Sequence, residues 1–319
     1  MPHAVRARSN GWSFDAFSKA PTLDRVRVKI GLAGLCRTDI QAMNGERVLP
    51  VDRILGHEAA GWIEHIPTSL AQAALERGLS QGDVVAFFPF LPCGNCFNCQ
   101  AAGPVERCYA PIALGLDEDG AFAPFVDLPI GVLFKGPSNL SLKHLAYAEP
   151  VSASMAVVDV PALMQGARVG VAGTGRIAQL TLAVLDAYRA TPAQHLDPAQ
   201  PWEEGVFEAI VETRATPEIL SRAVRALRPG GTLVIKSRPS HAVAWPHQEV
   251  VLRRIQVIGA PYGSFQAGLD AMSSGKLNVD GMLGPAFTWS PEGIQEALNT
   301  EAQGDEVPGK LFFDIAAER

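Results

Sequence analysis

Four of the five cysteines lie close together in the sequence: Cys93, Cys96, Cys99 and Cys108 fall within 16 residues. Two-residue gaps allow a tight turn to direct successive sulfur atoms at one centre, and a structural zinc ion binds four thiolates in a tetrahedron. Reduced cysteines without a metal and an iron–sulfur cluster are the alternatives. The spacing favours a closed structural zinc site, which stabilises a lobe of the fold and does no chemistry.

The fifth cysteine, Cys36, precedes His57 by about twenty residues, and both lie in strand-like segments that contain a glycine. One thiolate, one imidazole and one further ligand make an open zinc site, which keeps a position for water or substrate. The pair therefore indicates a second, catalytic zinc ion. The alternative is that both side chains only pack in the core.

With these residues the sequence resembles the medium-chain, zinc-dependent alcohol dehydrogenase superfamily, and the matching features occur in the family's order over nearly the whole chain. They are Cys36-x-Thr38-Asp39, Gly56-His57-Glu58, Gly82-Asp83-Val84-Val85, the four-cysteine lobe, Ala148-Glu149-Pro150, a glycine-rich turn at Gly173, Leu227-Arg228-Pro229-Gly230-Gly231 and Gly309-Lys310. The resemblance implies two zinc ions, one catalytic and one structural, and a nicotinamide nucleotide, NAD or NADP. It also implies a small-molecule alcohol or ketone substrate and a homo-oligomer, either a dimer or a tetramer.

The resemblance also implies roles for individual residues. Cys36 and His57 match catalytic zinc ligands, and Glu149 matches the branch similar to sorbitol and threonine dehydrogenases, in which a glutamate replaces a cysteine ligand. Glu58 matches a carboxylate beside the metal that can bind it transiently. Thr38 matches the hydroxyl group that passes the alcohol proton away.

The sequence departs from the family pattern at two places. Many members have a histidine where this chain has Gln41, two residues after the aspartate of the first motif, so the outer part of the proton relay differs. Eight residues separate Cys99 from Cys108, where seven are usual. One extra loop residue is compatible with zinc binding if Cys108 still points inward.

Composition limits the class of protein. The chain has 319 residues, 47% of them hydrophobic and 19% charged, which excludes a disordered protein and suggests two domains. A net charge of −6 argues against nucleic acid or an anionic membrane as a partner. The N-terminus has no apolar signal core, and the uncharged stretch 84–105 contains three prolines, so we expect a soluble, cytoplasmic protein.

The elements that must position these residues follow an α/β pattern. Residues 1–150 read as short strands, which the resemblance makes a GroES-like β-barrel catalytic domain with the zinc lobe at about 90–110. Residues 151–284 read as a Rossmann domain with a doubly wound parallel sheet. Residues 285–319 return to the catalytic domain through a capped helix and a last strand.

A nucleotide-binding fingerprint begins the second domain. The stretch 167–172, apolar apart from Arg168, predicts a buried strand, and 177–188 predicts a helix with one apolar face. Between them, Gly173 permits a tight turn and Gly175 lets the backbone approach the pyrophosphate at the helix N-terminus. Ala178 replaces the third glycine. The candidate nucleotide-binding residues of this turn are Gly173, Thr174, Gly175, Arg176 and Ile177.

The domain is shorter than a full Rossmann fold. Only some twenty residues, three of them proline, separate the first helix from the next strong strand candidate at 207–213. We therefore predict a truncated Rossmann domain that lacks one helix and one strand. Asp197 falls about twenty residues after the fingerprint, where a carboxylate binds the adenosine ribose and favours NAD over NADP. The alternative is a turn aspartate before Pro198.

Together these features predict hydride transfer between NAD(P) and a secondary alcohol, polyol or amino alcohol, or the matching ketone. The alternative is a non-redox zinc enzyme, a lyase or hydrolase, whose nucleotide domain no longer binds a nucleotide. A binding protein with a degenerate dehydrogenase fold is disfavoured, because a purely structural role does not need Cys36, Thr38, His57, Glu58 and Glu149 in combination.

Overall fold

The computed structural model describes residues 2–9, 11–166, 168–239, 241–303 and 309–317. The chain divides into two compact units, Met1–Glu149 with Val279–Arg319, and Pro150–Asn278. It leaves the first unit after Glu149 and returns to it at Val279, whereas the sequence placed the return at 285. In the part of the chain that the structure describes, no helix is both long enough and apolar enough to span a bilayer.

The strands are β1 (His3–Arg8), β2 (Gly11–Ala16), β3 (Val26–Gly34), β4 (Glu58–His65), β5 (Val84–Phe87), β6 (Phe90–Leu91), β7 (Ile112–Ala113), β8 (Phe125–Leu128), β9 (Leu133–Lys135), β10 (Val169–Ala172), β11 (Gln194–Leu196), β12 (Phe207–Glu212), β13 (Leu227–Ile235), β14 (Gln256–Gly259), β15 (Leu283–Thr288) and β16 (Lys310–Asp314). Ala167, with which the predicted buried strand began, lies outside the described residues.

The helices are α1 (Arg37–Met43), α2 (Ala71–Glu76), α3 (Phe97–Gln100), α4 (Leu142–Ala146), α5 (Ala148–Met155), α6 (Pro161–Gln165), α7 (Arg176–Tyr188), α8 (Pro217–Ala226), α9 (His247–Leu252), α10 (Phe265–Ser273) and α11 (Pro291–Ala302). Short 3-10 turns lie at Thr68–Leu70, Val105–Arg107, Ile130–Val132, Ala156–Asp159 and Asp280–Met282.

The first unit is built on a seven-stranded sheet in the order β15-β16-β3-β4-β5-β9, with β8 also paired to β3. All pairings are antiparallel except that of β15 with β16. Strand β3 is central, and it is buried at every position except Lys29. Because β16 pairs with β3, the last strand of the chain joins a sheet whose other strands come from residues 26–135 and, in β15, from Leu283–Thr288.

The second unit has the parallel sheet of a Rossmann fold, in the order β11-β10-β12-β13-β14. In a parallel sheet with helical crossovers, ligands bind at the carboxyl ends of the strands where the strand order reverses. That point lies here at the end of β10, which precedes the glycine-rich turn. The predicted α/β fold with a parallel sheet is confirmed.

A ten-residue segment, 197–206, joins β11 to β12 and contains no helix or strand, which agrees with the predicted shortening of the domain. Trp202 packs against the core that α8 shares with the sheet, and its indole nitrogen donates to the carbonyl of Asp197 at 2.7 Å. The Arg222 guanidinium stacks on the Trp202 ring at 4.1 Å and donates to the carbonyls of Pro198 and Gln200. Arg222 therefore holds the segment 197–206, which takes the place of the missing helix and strand.

A buried ion pair fixes the strand that leads to Cys36. Arg27 on β3 forms two hydrogen bonds with the carboxylate of Asp127 on β8, at 2.8 and 3.0 Å, and the two side chains are only 9% and 3% exposed. Since truncation of one partner leaves an unpaired buried charge, Asp127→Ala should lower the free energy of unfolding by about 3–5 kcal/mol. Urea unfolding monitored by fluorescence measures this loss.

The double variant Arg27→Met/Asp127→Leu is the matched control, because it removes both charges and keeps apolar volume. It should recover most of the lost stability. An Asp127→Ala midpoint equal to that of the unmodified protein would contradict the role given to this pair.

Candidate metal and nucleotide sites

Two chain segments of the first unit bring a thiol and an imidazole together. Cys36 follows the end of β3 and is the N-cap residue of α1, and His57 immediately precedes β4. The ligand atoms of Cys36, His57 and Glu58 all lie within 4.8 Å of one another. This group contains sulfur, nitrogen and oxygen ligands and is partly exposed, which is the composition of an open zinc site.

The carboxylate of Asp39 joins the two segments. Its Oδ2 accepts the backbone N–H of Cys36 at 3.0 Å, and its Oδ1 accepts that of Gly56 at 3.1 Å. His57 Nδ1 lies 3.3 Å from Asp39 Oδ1, which is an ion-pair distance although the geometry is not that of a hydrogen bond. Asp39 is completely buried. Sequence analysis quoted this residue only as part of a motif and missed its positioning role.

Glu58 is held by a lysine from the last strand. Lys310 Nζ on β16 lies 2.5 Å from Glu58 Oε2, and both side chains are at most 4% exposed. Gly34 makes room for the pair, because a Cβ atom there would lie 2.9 Å from Lys310 Cε and 3.0 Å from Glu58 Oε2. The Gly309-Lys310 motif was part of the family resemblance, but nothing in the sequence indicated that Lys310 pairs with Glu58.

Glu149 is buried, 7% exposed, in the first turn of α5. It is not part of the group formed by Cys36, His57 and Glu58. Its charge nevertheless acts on Glu58: burial raises the pKa of Glu58, Lys310 opposes this, and Glu149 raises that pKa further. In this conformation Glu58 is the carboxylate beside the thiol and the imidazole, and the assignment of Glu149 as a ligand stays a prediction.

Thr38 lies on the first turn of α1, two residues after Cys36, and is partly exposed. A hydroxyl group next to a metal-binding thiol can accept and pass on a proton. Gln41 is partly buried on the same helix. Its amide group cannot titrate, so any proton that leaves through Thr38 must follow a route without a histidine at this position.

The four-cysteine lobe forms a second group. Cys93 follows β6, Cys96 is the N-cap residue of α3, Cys99 lies in α3, and Cys108 ends a 3-10 turn. Their sulfur atoms lie within 4.8 Å of one another, so the extra loop residue does not keep Cys108 out of the group. The backbone amides of Tyr109 and Cys99 lower the pKa of Cys96 to about 6, which favours a thiolate, the form that binds metal.

The glycine-rich turn joins β10 to α7 as predicted. Gly173 has a φ of +133°, and a Cβ atom there would lie 2.3 Å from Thr213 Oγ1, so only glycine fits. Gly175 is the N-cap residue of α7, and a Cβ atom there would meet nothing within 4 Å. Open space at Gly175 and a 13-residue helix that begins at Arg176 are what a pyrophosphate requires.

The remaining predicted nucleotide residues lie around this turn. Thr174 is partly buried, Ile177 is 37% exposed, and Ala178 is buried. Asp197 follows β11 directly, at the same carboxyl edge of the sheet, because Leu196 pairs with Ala172. Asp197 Oδ1 accepts the backbone N–H of Ala199 at 2.8 Å. The aspartate therefore has a turn-forming role in addition to any role in ribose binding.

Sequence analysis missed a buried glutamate at the same edge. Glu212 ends β12 and is completely buried, and its Oε2 accepts the hydroxyl of Ser237 at 2.8 Å. Ser237 Oγ in turn accepts the backbone N–H of Ala215 at 3.1 Å. Burial raises the pKa of Glu212. These bonds connect the loops that follow β12 and β13, and both loops lie at the ligand-binding edge of the sheet.

Comparison with known proteins agrees with this geometry. Residues 22–138 match the family model of the alcohol dehydrogenase GroES-like domain. The chain is 24% identical to D-xylulose reductase A of Aspergillus niger, in an alignment of 299 positions that covers 81% of each protein. It is 23% identical to an uncharacterised zinc-type alcohol dehydrogenase-like protein of Haemophilus influenzae over 81% of this chain and 82% of that protein.

Solved structures have the same fold. A protein of Sinorhizobium meliloti described as a zinc-binding dehydrogenase and bound to NADP superposes with a TM-score of 0.84 and 23% identity. The 2R,3R-butanediol dehydrogenase of Bacillus subtilis gives a TM-score of 0.83 and 20% identity. Each comparison covers 98% of this chain and 99% of the other. At these identities the likeness establishes the fold.

Metal binding at Cys36 and His57 should depend on pH. Burial alone lowers the pKa of His57, but the charges of Asp39 and Cys36 outweigh it and raise that pKa well above the ordinary 6.5. The protonated imidazole has no lone pair for zinc. Zinc affinity should therefore fall as the pH drops through this raised pKa, by up to about tenfold per pH unit for one displaced proton.

Competition with a chelator over a pH series measures the metal affinity of the Cys36–His57 site. Release of cadmium or zinc from the four-cysteine lobe is followed as a separate step. An affinity at the Cys36–His57 site that stays constant across neutral pH would contradict the electrostatic role given to Asp39.

Proposed function

We propose that this chain, a homologue of the medium-chain, zinc-dependent alcohol dehydrogenases, is a zinc-dependent oxidoreductase that interconverts an alcohol or polyol and the matching carbonyl compound with NAD(P). The observation that supports this most directly is the group of Cys36, His57 and Glu58 in a partly exposed site of the first unit. The glycine-rich turn of the second unit supplies the matching nucleotide-binding feature.

When bound, zinc would supply Lewis acidity toward a substrate hydroxyl group, and the nicotinamide nucleotide would accept the hydride that leaves the carbon. Cys36 and His57 would hold the metal, with Glu58 or Glu149 as the third ligand. One thiolate and one carboxylate balance the two positive charges of zinc, so the site would have no net charge. Thr38 would receive the alcohol proton and pass it toward solvent.

Glu58 and Glu149 can act in turn. The charge of Glu149 acts on Glu58, and Lys310 Nζ lies 2.5 Å from Glu58 Oε2. A carboxylate with an ammonium partner can leave the metal without becoming an unpaired buried charge. We therefore assign Glu149 as the permanent ligand and Glu58 as a carboxylate that would bind the metal transiently.

The four-cysteine lobe would hold a second, structural zinc ion, which gives two per chain. NAD would be preferred over NADP, because Asp197 places a carboxylate at the end of β11 and repels a 2′-phosphate. Free cysteines are typical of the reducing cytoplasm, which supports a cytoplasmic location. A homo-oligomeric state is an inference from the resemblance alone.

The Cys36→Ser variant tests the catalytic metal. It should reduce alcohol oxidation with NAD by about a hundredfold or more, since an open zinc site needs its thiolate. The zinc content per chain should fall from two ions to one, and the circular dichroism spectrum should stay unchanged. The control is Cys93→Ser, which should lose the other zinc ion and reduce stability. Full activity in Cys36→Ser would contradict the proposed site.

The Asp197→Ala variant tests the nucleotide preference. It should weaken NADH binding by about tenfold and leave NADPH binding equal or stronger, because the carboxylate would no longer bind the ribose hydroxyl or repel the phosphate. Fluorescence titration measures both. The control is Asp159→Ala, an exposed aspartate of the same unit. If the unmodified chain bound neither nucleotide, the non-redox zinc enzyme would become the better description.

A further inference from the structure

One face of α4 contacts the segment by which the chain returns to the first unit. We call residues 279–284 the return segment; it contains the 3-10 turn Asp280–Met282 and the start of β15. Three side chains, two from α4 and one from the residue that follows it, reach this segment. They are Lys143, whose Nζ donates to the carbonyl of Gly284 at 2.8 Å, His144, whose Nε2 lies 2.9 Å from Asp280 Oδ1, and Tyr147, whose hydroxyl lies 4.0 Å from Met282 Sδ.

The contact at His144 is the most specific of the three. Its Nδ1 lies 2.7 Å from the hydroxyl of Ser141, and its Nε2 lies 2.9 Å from Asp280 Oδ1. The neutral ring satisfies both partners in one tautomer, with Nε2–H donated to Asp280 and Nδ1 accepting from Ser141. Both nitrogens are thus engaged, and the orientation of the ring is fixed. The His144 side chain is 20% exposed and that of Asp280 is 70% exposed, so the contact lies at the surface.

The opposite surface of α4 packs on the sheet that forms the metal site. Leu145 is buried and lies close to Gly136, and a Cβ atom on Gly31 of β3 would lie 3.1 Å from Leu142 Cδ1. Strand β3 leads to Cys36. The helix is therefore held between the strand that presents the thiol on one side and the return segment on the other.

A short buried stretch of chain links α4 to Glu149. Only Tyr147 separates α4 from α5, and Tyr147 is buried and donates its backbone N–H to the carbonyl of Lys143 at 3.0 Å. Glu149 follows two residues later in the first turn of α5. A five-residue helix has no stability of its own, so its orientation depends on its tertiary contacts. A small rotation of α4 would move the Glu149 carboxylate relative to Cys36 and His57.

We propose that His144 and Asp280 are positioning residues for the open metal site, and that they act by fixing α4 and through it the carboxylate of Glu149. The inference rests on the proposed function, in which Glu149 is the third ligand of the catalytic zinc. Neither residue touches the metal or the substrate. The effect is transmitted by the buried segment from Lys143 to Glu149.

The experiment loads the purified full chain with cobalt(II), whose visible absorption reports the ligands at each site. Asp280→Ala removes the acceptor of His144, and Asp280→Asn keeps an acceptor oxygen. His144→Leu removes both hydrogen bonds of the ring. The matched controls are His65→Leu, an exposed histidine on β4, and Asp24→Ala, an exposed aspartate of the same unit.

We expect Asp280→Ala and His144→Leu to weaken cobalt binding at the open site by about tenfold and to change its visible spectrum. They should lower kcat to a similar extent with the KM for the nucleotide unchanged, and metal at the four-cysteine lobe should be retained. Asp280→Asn and both controls should behave like the unmodified chain. The double variant His144→Leu/Asp280→Ala should be no worse than His144→Leu alone, because that variant already lacks the contact with Asp280.

Metal affinity and spectrum within about twofold of the unmodified chain in both Asp280→Ala and His144→Leu would overturn the inference. If His144→Leu did not fold, the two Asp280 variants would decide, because the Asp280 side chain is 70% exposed and its truncation leaves no cavity. Failure of the unmodified chain to bind a second cobalt ion would instead refute the proposed function itself.

Discussion

The arrangement of Cys36 beside His57 depends on one buried carboxylate, that of Asp39. A carboxylate without compensating hydrogen bonds is costly to bury, and Asp39 obtains its donors only from the backbones of Cys36 and Gly56 when both segments are in place. The same carboxylate lies 3.3 Å from His57 Nδ1, and its negative charge favours the protonated imidazole. Loss of this carboxylate would therefore remove a direct link between the two segments that carry the thiol and the imidazole.

The two candidate metal-binding groups differ in how far they could be recognised from the sequence. Cys93 to Cys108 form a local loop, so their spacing alone defines the geometry of the sulfur atoms. The glycine-rich turn is also local, since a strand, Gly173, Gly175 and a helix follow one another directly. The helix caps at Ser141 and Ser290 and the shortened segment before β12 were predictable for the same reason: each depends on neighbours within a few residues.

The features that escaped prediction depend on partners distant in the chain. Lys310 pairs with Glu58 only because β16 returns to β3, and no pattern near either residue indicates the other. Strand β2 was missed because all its side chains are only partly covered or exposed, so it has no clear apolar alternation. Glu149 illustrates a further limit. The Ala148-Glu149-Pro150 motif identifies a buried carboxylate, but the distance of that carboxylate from the Cys36 thiol depends on how α5 begins.

The shortened Rossmann sheet has a consequence for association between chains. One of its two outer strands, β11, is only three residues long and is followed at once by Asp197 and Pro198, neither of which extends it. An exposed strand of ordinary length offers a row of unpaired backbone groups to which a neighbouring molecule can add a strand. Here the row is too short to serve as a template. Loss of a strand and a helix has therefore left an edge that discourages aggregation.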